Sequence, residues 1–297
     1  MKVSLITAFY KGNAYMADYK RMIRANQCHL EKEDELEVLI INDSPEEAVV
    51  LPDDGRDCNI KVYDQPENGG IHAARVRGLS LCTGDYVIFL DQDDRLREDA
   101  VATFIAAMKK YQTKADRVLV SNAVMEQKDG EVFWYRTAYH KKLVGDYKTY
   151  LRVGNQIVSP GQCLIPKASI PTFWTTHICK KNGSDDYFLW LLLLAQKTTF
   201  SFVDEPLYVH HYTAQNLSAD AKKMDASSYE FIAYLETERA IDKKDIALLR
   251  RTIRYKDAFR SSGMAKKAVL TLQNLDIFIP NFIFKMRSKT PYGFNRE

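Results

Sequence analysis

The first 95 residues alternate between short apolar segments and longer segments of helical periodicity. The apolar segments predict four strands, at residues 3–7, 36–41, 60–63 and 86–90. Apolar residues that recur every three or four positions predict two helices, at residues 14–29 and 71–82. A chain that alternates strands with helices folds into a mostly parallel sheet with helices on both faces. The pattern therefore predicts an α/β fold.

The rest of the chain has a less regular pattern that ends in helices. Its predicted elements are a helix at 99–111, a strand at 117–121, a hairpin at 125–135, a helix at 185–195 and a strand at 207–212. A loop rich in Gly, Pro and Ser interrupts them at 153–160. From Tyr229 onward the pattern is helical and basic, which predicts a helical C-terminal extension.

The charge of the chain is close to balanced but unevenly distributed. Its 297 residues, of which 46% are hydrophobic, are enough to bury a large core. The 42 Lys and Arg residues against 39 Asp and Glu residues leave a net charge of +3, too small for a general nucleic-acid-binding protein. From Arg250 onward, eleven basic residues stand against three acidic ones. We therefore expect no nucleic-acid partner and a locally basic tail.

Three features of the sequence bear on its location. The longest apolar run, residues 188–195, is far shorter than the roughly 20 residues that span a bilayer. The chain begins with a strand-like segment and carries no recognisable export signal. Its five cysteines are scattered without a C-x-x-C pair, which is typical of reduced thiols and no zinc site. We expect a cytoplasmic protein.

Polar clusters follow three of the four predicted strands. They are Thr7-Ala8-Phe9-Tyr10, Asn42-Asp43-Ser44 and Asp91-Gln92-Asp93-Asp94. The carboxyl ends of parallel strands share one edge of a sheet, and ligands bind beyond that edge. The sequence therefore predicts a ligand site that gathers these clusters.

The carboxylates of the third cluster suit a divalent cation. Asp91 and Asp93 lie two residues apart just past a strand, where both can turn toward one ion. Mg²⁺ and Mn²⁺ prefer such oxygen ligands, and a bound cation stabilises the charge of a diphosphate leaving group. Acidic residues after a strand are also common without a metal. The turn Asn68-Gly69-Gly70 offers backbone N–H groups to a phosphate or a ribose, although Asn-Gly is also a common tight turn.

Together these segments resemble the inverting family 2 glycosyltransferases with the GT-A fold. Those enzymes move a sugar from a nucleotide diphosphate to an acceptor hydroxyl. The similarity rests on residues 7–10, 42–44 and 68–94. The resemblance implies a mostly parallel nucleotide-binding sheet flanked by helices. It also implies a GT-A domain at 1–218, with a donor half at 1–95 and an acceptor half at 96–218, and a basic helical extension at 219–297.

The resemblance assigns most of the donor contacts. It implies that Asp93 binds Mn²⁺ or Mg²⁺ directly, and that Asp91 binds the ribose or reaches the cation through water. Arg75 would face the nucleotide, because the family has an arginine at the matching place. The alternative is an arginine on the helix surface, which fits Arg77 better. Asp43 would accept a hydrogen bond from N3–H of a uracil, which favours UDP over CDP.

Further residues complete the predicted nucleotide-sugar site. By the same resemblance they are Thr7, Asn68, Gly69 and Gln92. Either Phe9 or Tyr10 stacks on the base, and each is equally compatible with a place in the core. A histidine that relatives offer to the metal or the pyrophosphate aligns here with Thr213, so His211, in the His210-His211 segment, is predicted as a displaced metal ligand. The alternatives are a metal contact from His210 and a strand-end histidine that bonds to the backbone.

Two adjacent carboxylates open the predicted helix at 185–195. Inversion proceeds by a single displacement, which requires a general base that takes the proton of the acceptor hydroxyl. Asp185 and Asp186 resemble the family's Glu-Asp pair, with Asp186 as the base and Asp185 in the position usually held by Glu. Carboxylates at the start of a helix also stabilise its dipole without any catalytic role.

The predicted function is a metal-dependent, inverting transfer of a hexose from a UDP-sugar to a glycan or a lipid-linked saccharide in surface polysaccharide biosynthesis. The alternative is a non-catalytic protein of the same fold that binds a nucleotide sugar or a glycan. Residues 277–289 mix large apolar and basic side chains, as segments at membrane surfaces do. They predict either a peripheral contact with the inner face of the plasma membrane or a helix packed on the domain with its charges in solvent.

Overall fold

The chain passes several times between two structural units. The computed structural model describes residues 1–53, 58–111, 116–127, 130–211 and 220–290. Unit 1 consists of Met1–Phe133, Ile157–Ile170 and Thr198–Thr213. Unit 2 consists of Trp134–Gln156, Pro171–Lys197 and Ala214–Glu297.

Unit 1 contains one large sheet, which has nine strands within the described residues. The strands are β1 (Lys2–Phe9), β2 (Glu35–Asn42), β3 (Ile60–Asp64), β4 (Tyr86–Phe89), β5 (Arg95–Leu96), β6 (Arg117–Gln127), β7 (Gly130–Phe133), β8 (Cys163–Pro166) and β9 (Thr199–His211). Their order across the sheet is β3-β2-β1-β4-β8-β6-β9-β5, and β7 pairs with β6.

The strands β3, β2, β1 and β4 run parallel to one another. Consecutive residues of β2 are buried, which is typical of a strand covered on both faces. Phe9 pairs with Asn42, and Asn42 pairs with Asp64, so three strand ends lie at one edge. The predicted parallel sheet is confirmed for these four of the nine described strands.

The other strands form a mixed arrangement. β8 is antiparallel to both β4 and β6, and β5 is antiparallel to β9. β6 and β9 are parallel, with an irregularity between Ser121 and Asn122. The predicted hairpin is confirmed as the β6–β7 pair. The predicted strands at 117–121 and 207–212 were too short, and β5 and β8 were not predicted. β8 has only four residues and all are buried, so no alternating pattern marks it.

Three helices belong to unit 1: α1 (Met16–Cys28), α2 (Gly70–Leu81) and α3 (Ala100–Lys109). α1 buries the predicted apolar stripe Met16, Tyr19, Met22 and Ile23. α2 comes closest to the sheet at Gly78, where a Cβ atom would lie 2.3 Å from Cγ2 of Ile6. This close approach fixes α2 against β1, and with it the buried Arg75, which lies almost one turn earlier on the helix.

Unit 2 is helical in its described residues. Its helices are α4 (Ala138–Lys142), α5 (Tyr147–Arg152), α6 (Thr172–Thr176), α7 (Asp185–Ala195), α8 (Ala221–Glu238), α9 (Lys243–Arg260), α10 (Met264–Gln273) and α11 (Leu275–Ser288). The bounds of α7 match the prediction. α7 is apolar on all sides, as interior helices are, and the ring of Phe188 stacks on Phe231 of α8 with centroids 5.3 Å apart.

The two units group the chain differently from the predicted domains. Residues 134–156 and 171–197, predicted for the acceptor half, fall in the same unit as the C-terminal helices. The predicted boundary after residue 218 lies outside the described residues, and the domain division stays a prediction. None of the helices in the described ranges has both the length and the apolar character needed to cross a membrane.

Candidate active site

The guanidinium of Arg75 holds the first carboxylate of the acidic cluster. Arg75 projects from the buried face of α2, and its Nη2 lies 2.5 Å from Oδ1 of Asp91, which follows β4. The alternative of a surface arginine is wrong for Arg75, because its side chain is buried, whereas Arg77 is exposed. The pair therefore joins α2 to the carboxyl end of β4.

Asp43, at the end of β2, binds the start of α2. Its Oδ1 accepts hydrogen bonds from the backbone N–H of Gly69 at 2.7 Å and from Nε2 of Gln65 at 2.6 Å. Its Oδ2 accepts one from the N–H of Gly70 at 2.9 Å. The sequence predicted that these glycine N–H groups would be open to a phosphate or a ribose. The prediction of open groups was wrong, because a buried carboxylate already occupies the helix N-terminus. Asn68, by contrast, is exposed.

Asp94 is the innermost carboxylate of the cluster. Its Oδ2 accepts a hydrogen bond from the Tyr208 hydroxyl, and its Oδ1 lies 2.9 Å from Nδ1 of His210. The backbone N–H of His211 also donates to Oδ1, at 2.9 Å. Asp94 therefore ties the loop after β4 to the end of β9. The sequence marked the His210-His211 segment but gave no sign that His210 would meet Asp94.

Asp93 lies in the most unfavourable position for a negative charge. Burial, together with the charges of Asp94 and Asp91, raises the pKa of Asp93 to about 6. Burial alone would lower the pKa of His210, but the hydrogen bond and charge of Asp94 outweigh burial and raise it. Oδ2 of Asp91 accepts a 3.3 Å hydrogen bond from the Ser159 hydroxyl, which stabilises the charged carboxylate. The sequence did not indicate Ser159.

A close packing contact keeps Ser159 and Tyr208 in place. Ser159 precedes the short helical turn Pro160–Gln162, and its hydroxyl accepts from the N–H of Gly161. A Cβ atom on Gly161 would lie 2.7 Å from the Tyr208 ring and 2.9 Å from Cδ1 of Leu90. Only glycine allows the backbone to approach the ring so closely. The composition of residues 153–160 predicted a loop, but the sequence did not predict the contacts of that loop.

In unit 2, the predicted pair of carboxylates opens α7. Asp185 is buried, and its backbone carbonyl accepts a 2.8 Å hydrogen bond from Nε1 of Trp174. Asp186 is half-buried. Its Oδ2 accepts from Nδ2 of Asn155 at 2.9 Å, and its Oδ1 accepts from the N–H of Tyr187 at 2.7 Å. Of the two, Asp186 has the more accessible carboxylate.

The loop that carries Asn155 is contacted by α9, one of the C-terminal helices. Nζ of Lys256, on α9, donates to the carbonyl of Val153, two residues before Asn155. Gly154 between them has a φ of +104°, and a Cβ atom there would lie 3.3 Å from Nζ of Lys256. Burial lowers the pKa of Lys256 to about 8. Neither Asn155 nor Lys256 was indicated by the sequence, because their separation along the chain from Asp186 follows no motif.

A family model described as "Glycosyl transferase family 2" matches residues 4–165. The chain belongs to this family. GlyA of Streptococcus pneumoniae is 34% identical over 80 residues, which make up 26% of this chain and 11% of GlyA. GgaB of Bacillus subtilis, a minor teichoic acid biosynthesis protein, is 27% identical over 186 residues, which make up 62% of this chain and 20% of GgaB. This chain thus spans far less than two thirds of either relative.

Solved structures extend the comparison to the fold. S. aureus TarS 1–349, solved in complex with UDP, matches with a TM-score of 0.56 at 15% identity. The match covers 88% of this chain and 73% of that chain. The same TarS segment with UDP-GlcNAc gives the same TM-score and identity. The predicted membership of family 2 and the GT-A-type α/β fold are both confirmed.

The carboxylates of this family 2 member have the chemistry that a divalent cation requires. Mg²⁺ commonly uses one or two protein carboxylates and completes its shell with water and substrate phosphates. Asp91 and Asp93 supply two such groups, and a bound cation would offset the burial and the neighbouring carboxylate charges that raise the pKa of Asp93. Within the described ranges, no group of three or more His, Cys, Asp or Glu side chains is assembled for a metal. The donor set fits a cation shared with a diphosphate.

The imidazole of the predicted metal ligand contacts a carboxylate outside the acidic cluster. Nδ1 of His211, the predicted metal ligand, lies 3.0 Å from Oε2 of Glu126, and its side chain is 45% exposed. His210 is the histidine beside the acidic cluster. Metal binding by His211 stays a prediction. Thr213, which aligns with the family's histidine, lies outside the described residues.

Two predicted contacts at the end of β1 are corrected by burial. Thr7 and Phe9 have no exposed surface, and the Thr7 hydroxyl lies 2.9 Å from that of Tyr19. Both side chains belong to the core, so neither reaches a nucleotide in this structure. Tyr10 is 49% exposed and keeps the predicted stacking role as a prediction. Its backbone N–H and carbonyl both bond to the amide of Gln92, at 2.9 and 3.0 Å.

Proposed function

We propose that the protein is a metal-dependent, inverting glycosyltransferase that transfers a hexose from a UDP-sugar to a hydroxyl of a glycan or a lipid-linked saccharide. The observation that carries the proposal is the pair of carboxylates Asp91 and Asp93 beside the buried Arg75, in a chain of family 2. The UDP and UDP-GlcNAc complexes of TarS support a uridine donor. GgaB and AmsB, an amylovoran biosynthesis glycosyltransferase of Erwinia amylovora, support a role in surface polysaccharide synthesis.

On the donor side, Asp93 and Asp91 would hold Mn²⁺ or Mg²⁺. The cation would neutralise the charge that develops on the departing diphosphate. Arg75 keeps Asp91 oriented through its 2.5 Å contact and adds positive charge to a region crowded with carboxylates. Asp43 would accept N3–H of the uracil through the one lone pair of Oδ2 that its three present donors leave open. Tyr10 would stack on the base, and Asn68 and Gln92 would contact the nucleotide sugar.

On the acceptor side, Asp186 would act as the general base. The acceptor oxygen attacks the anomeric carbon as the bond to the diphosphate breaks, and the hydroxyl proton passes to a carboxylate oxygen of Asp186. One displacement inverts the configuration of the anomeric carbon. Asn155 orients Oδ2 of Asp186, and the N–H of Tyr187 orients Oδ1. Asp185, which is buried, would support the helix start and leave the proton transfer to Asp186.

The proposed setting is the cytoplasm, at the inner face of the plasma membrane. A lipid-linked acceptor would be met there, and the basic tail would bring the enzyme to it. The alternative is a protein of the same fold that binds a nucleotide sugar or a glycan and does not turn it over.

The test is release of UDP from a panel of UDP-sugars, with Mn²⁺ or with a chelator, by the wild type and by Asp93→Asn and Asp186→Asn. We expect turnover only with the metal. Loss of Asp186 should lower kcat by about a hundredfold or more, since general bases contribute that much. Asp93→Asn should weaken donor and metal binding together. Glu98→Gln, which changes an exposed carboxylate, is the matched control.

Full activity in both Asp variants contradicts the mechanism. Thermal stabilisation by a UDP-sugar without turnover, with any acceptor tried, supports the binding protein instead. Turnover in the presence of a chelator that equals turnover with Mn²⁺ contradicts the metal dependence.

A further inference from the structure

The helix α10 presents an apolar face to solvent. Met264, Val269 and Leu272 are 84%, 52% and 71% exposed. At 100° per residue these three positions fall on one side of the helix, together with the exposed Ala265 and Ala268. No side chain of α10 is buried. An amphipathic helix of a globular domain normally turns such a face toward the core.

The helix α11 repeats the arrangement with larger side chains. Leu275, Ile279, Phe282, Ile283 and Met286 are all exposed, Phe282 by 54%. Their spacing follows i, i+4, i+7, i+8 and i+11, which places them in one stripe along the helix. We call these five residues, with Met264, Val269 and Leu272 of α10, the apolar tail face.

The opposite side of α11 is packed within unit 2. Ile277 and Asn281 are buried, and Nδ2 of Asn281 donates to the carbonyl of Arg152 at 2.7 Å. The ring of Phe284 meets His140 edge-on with centroids 5.2 Å apart. The hydroxyl of Thr137 donates to the carbonyl of Arg287 at 3.0 Å. Because α11 is anchored in this way, its outward apolar stripe is a surface of a docked helix.

The tail face is the main exposed apolar surface of the described chain. Eight of its thirteen exposed large apolar side chains lie between Met264 and Met286. Single exposed apolar residues are ordinary, but five in one stripe along a packed helix, as on α11, mark a surface that binds something.

The charges beside the tail face favour one kind of partner. Lys266, Lys285 and Lys289 are exposed. Lys285 is next to Met286 in the sequence and so lies on the flank of the stripe. The acidic residue of α11, Asp276, is paired with Arg251 of α9. A second copy of the chain that docked face to face would bring like charges together, whereas an anionic surface would neutralise them.

We propose that the apolar tail face binds the surface of an anionic lipid bilayer, with α10 and α11 lying in the plane of the interface. Apolar side chains would enter the boundary between headgroups and acyl chains, while the flanking lysines would meet anionic headgroups. This inference rests on the proposed function and deepens it. Contact with the bilayer would hold the enzyme where a lipid-linked acceptor lies.

The experiment is co-sedimentation of the full chain with vesicles of phosphatidylcholine alone and of phosphatidylcholine with about 30 mol% phosphatidylglycerol. We expect binding to the anionic vesicles that salt weakens, and much less binding to the neutral ones. The double variant Ile279→Ser/Phe282→Ser should lower the partition coefficient about tenfold or more, because two large apolar side chains are lost. Lys285→Glu should weaken binding to the anionic vesicles only.

Two controls separate the outcomes. Val50→Ser changes an apolar side chain of unit 1 that is 61% exposed and should leave vesicle binding unchanged. The thermal midpoints of all variants should stay close to that of the wild type, since none of the altered side chains is buried and Ile279 and Phe282 are 49% and 54% exposed. Equal binding by the double variant overturns the proposal. So does a wild-type chain that ignores vesicles and forms a dimer, seen by light scattering, that the double variant abolishes.

Vesicle binding is measured without donor or acceptor, so it can fail independently of the proposed function. Vesicle binding without UDP release would leave the tail face standing and contradict the transferase. UDP release with no vesicle binding would support the transferase and contradict the membrane contact of the tail face.

Discussion

The side-chain amide of Asn155 donates a 2.9 Å hydrogen bond to Oδ2 of Asp186, from a position 31 residues earlier in the chain. Oδ1 of Asp186 is held by the N–H of Tyr187. Each carboxylate oxygen thus has a fixed hydrogen-bond donor. A proposed general base is therefore oriented by a neutral side chain that no sequence motif marks.

We expect Asn155→Ala to lower kcat by about tenfold to a hundredfold, because misplacement of a catalytic group has effects of that size. The KM for the donor should change little, since the proposed donor contacts belong to unit 1. A carboxylate that loses a donor is more readily protonated, so the acid limb of the pH–rate profile should move to higher pH. Steady-state rates across pH measure both effects.

Asn155→Ser keeps a short donor and should recover part of kcat. An unchanged kcat and pH profile in Asn155→Ala would remove the positioning role. A fall in thermal midpoint that accounts for the lost activity would assign Asn155 a structural role only.

The contact between Arg75 and Asp91 predicts that loss of Arg75 changes the affinity for the nucleotide sugar and the affinity for the metal ion in different ways. Arg75→Met should weaken binding of a UDP-sugar by about tenfold, roughly 1.4 kcal/mol. The same change leaves the carboxylates more negative, so Mn²⁺ alone should bind at least as well as it does to the wild type. Calorimetric titration with Mn²⁺ alone, and then with UDP and Mn²⁺, measures the two affinities.

Arg77→Met is the matched control, because Arg77 lies on the exposed face of the same helix. It should bind UDP as the wild type does. If both arginine variants lose the same affinity, the effect comes from net charge and the specific role of Arg75 is wrong.

The sequence predicted the parallel half of the fold well because its strands are short apolar runs separated by helices. Within that half, the positions of Asp43, Arg75 and Asp91 followed from the ends of β2 and β4 and from α2. The sequence could not tell which residues of each cluster face inward. Thr7 and Phe9 turned out to be core residues, while Tyr10 is exposed. Alternate residues of a strand point to opposite faces, but the residue at which the strand ends decides which of them meets solvent.

The mixed half of the fold depends on contacts between distant parts of the chain. Asp94 has the same chemistry as Asp91 and Asp93 in the sequence, yet it is fixed inside by Tyr208 and His210 of β9. That role arises only when β9 reaches the loop after β4. Asn155 and Lys256 are positioned in the same way, by tertiary packing. Local periodicity carries no information about such pairs.

Gly161 provides a test of the packing around Tyr208. A Cβ atom there would lie 2.7 Å from the ring of Tyr208 and 2.9 Å from Cδ1 of Leu90, both of which are buried. We expect Gly161→Ala to lower the free energy of unfolding by about 1–3 kcal/mol, as overpacked cores do. Urea denaturation measures the change.

The control for this prediction is Gly263→Ala, where no heavy atom lies within 4 Å of the added Cβ. Its free energy of unfolding should stay within about 0.5 kcal/mol of the wild type. Equal stability of the two variants would mean that the Tyr208 ring yields without cost.

Glu37 predicts how stability depends on pH. Burial alone would raise the pKa of Glu37, but hydrogen bonds from the N–H of Thr83, the hydroxyl of Ser4 and Nζ of Lys61 outweigh burial and lower the pKa from 4.5 to about 2. The folded chain therefore holds the charged form more strongly than the unfolded chain does. The resulting stability is present above pH 4.5 and is lost as the pH falls toward 2.

We expect Glu37→Gln to lower the free energy of unfolding at pH 7 by as much as about 3 kcal/mol, which corresponds to the shift in pKa. The difference between wild type and variant should shrink between about pH 4.5 and pH 2, because the wild-type carboxylate becomes protonated. Urea denaturation at several pH values measures it. Glu35→Gln, on the same strand but with a side chain that is 60% exposed, should show a small difference at every pH. A constant difference for Glu37→Gln down to pH 2 would assign its effect to lost packing, because the contribution of the charge is mostly lost by the pH at which the folded carboxyl is half protonated.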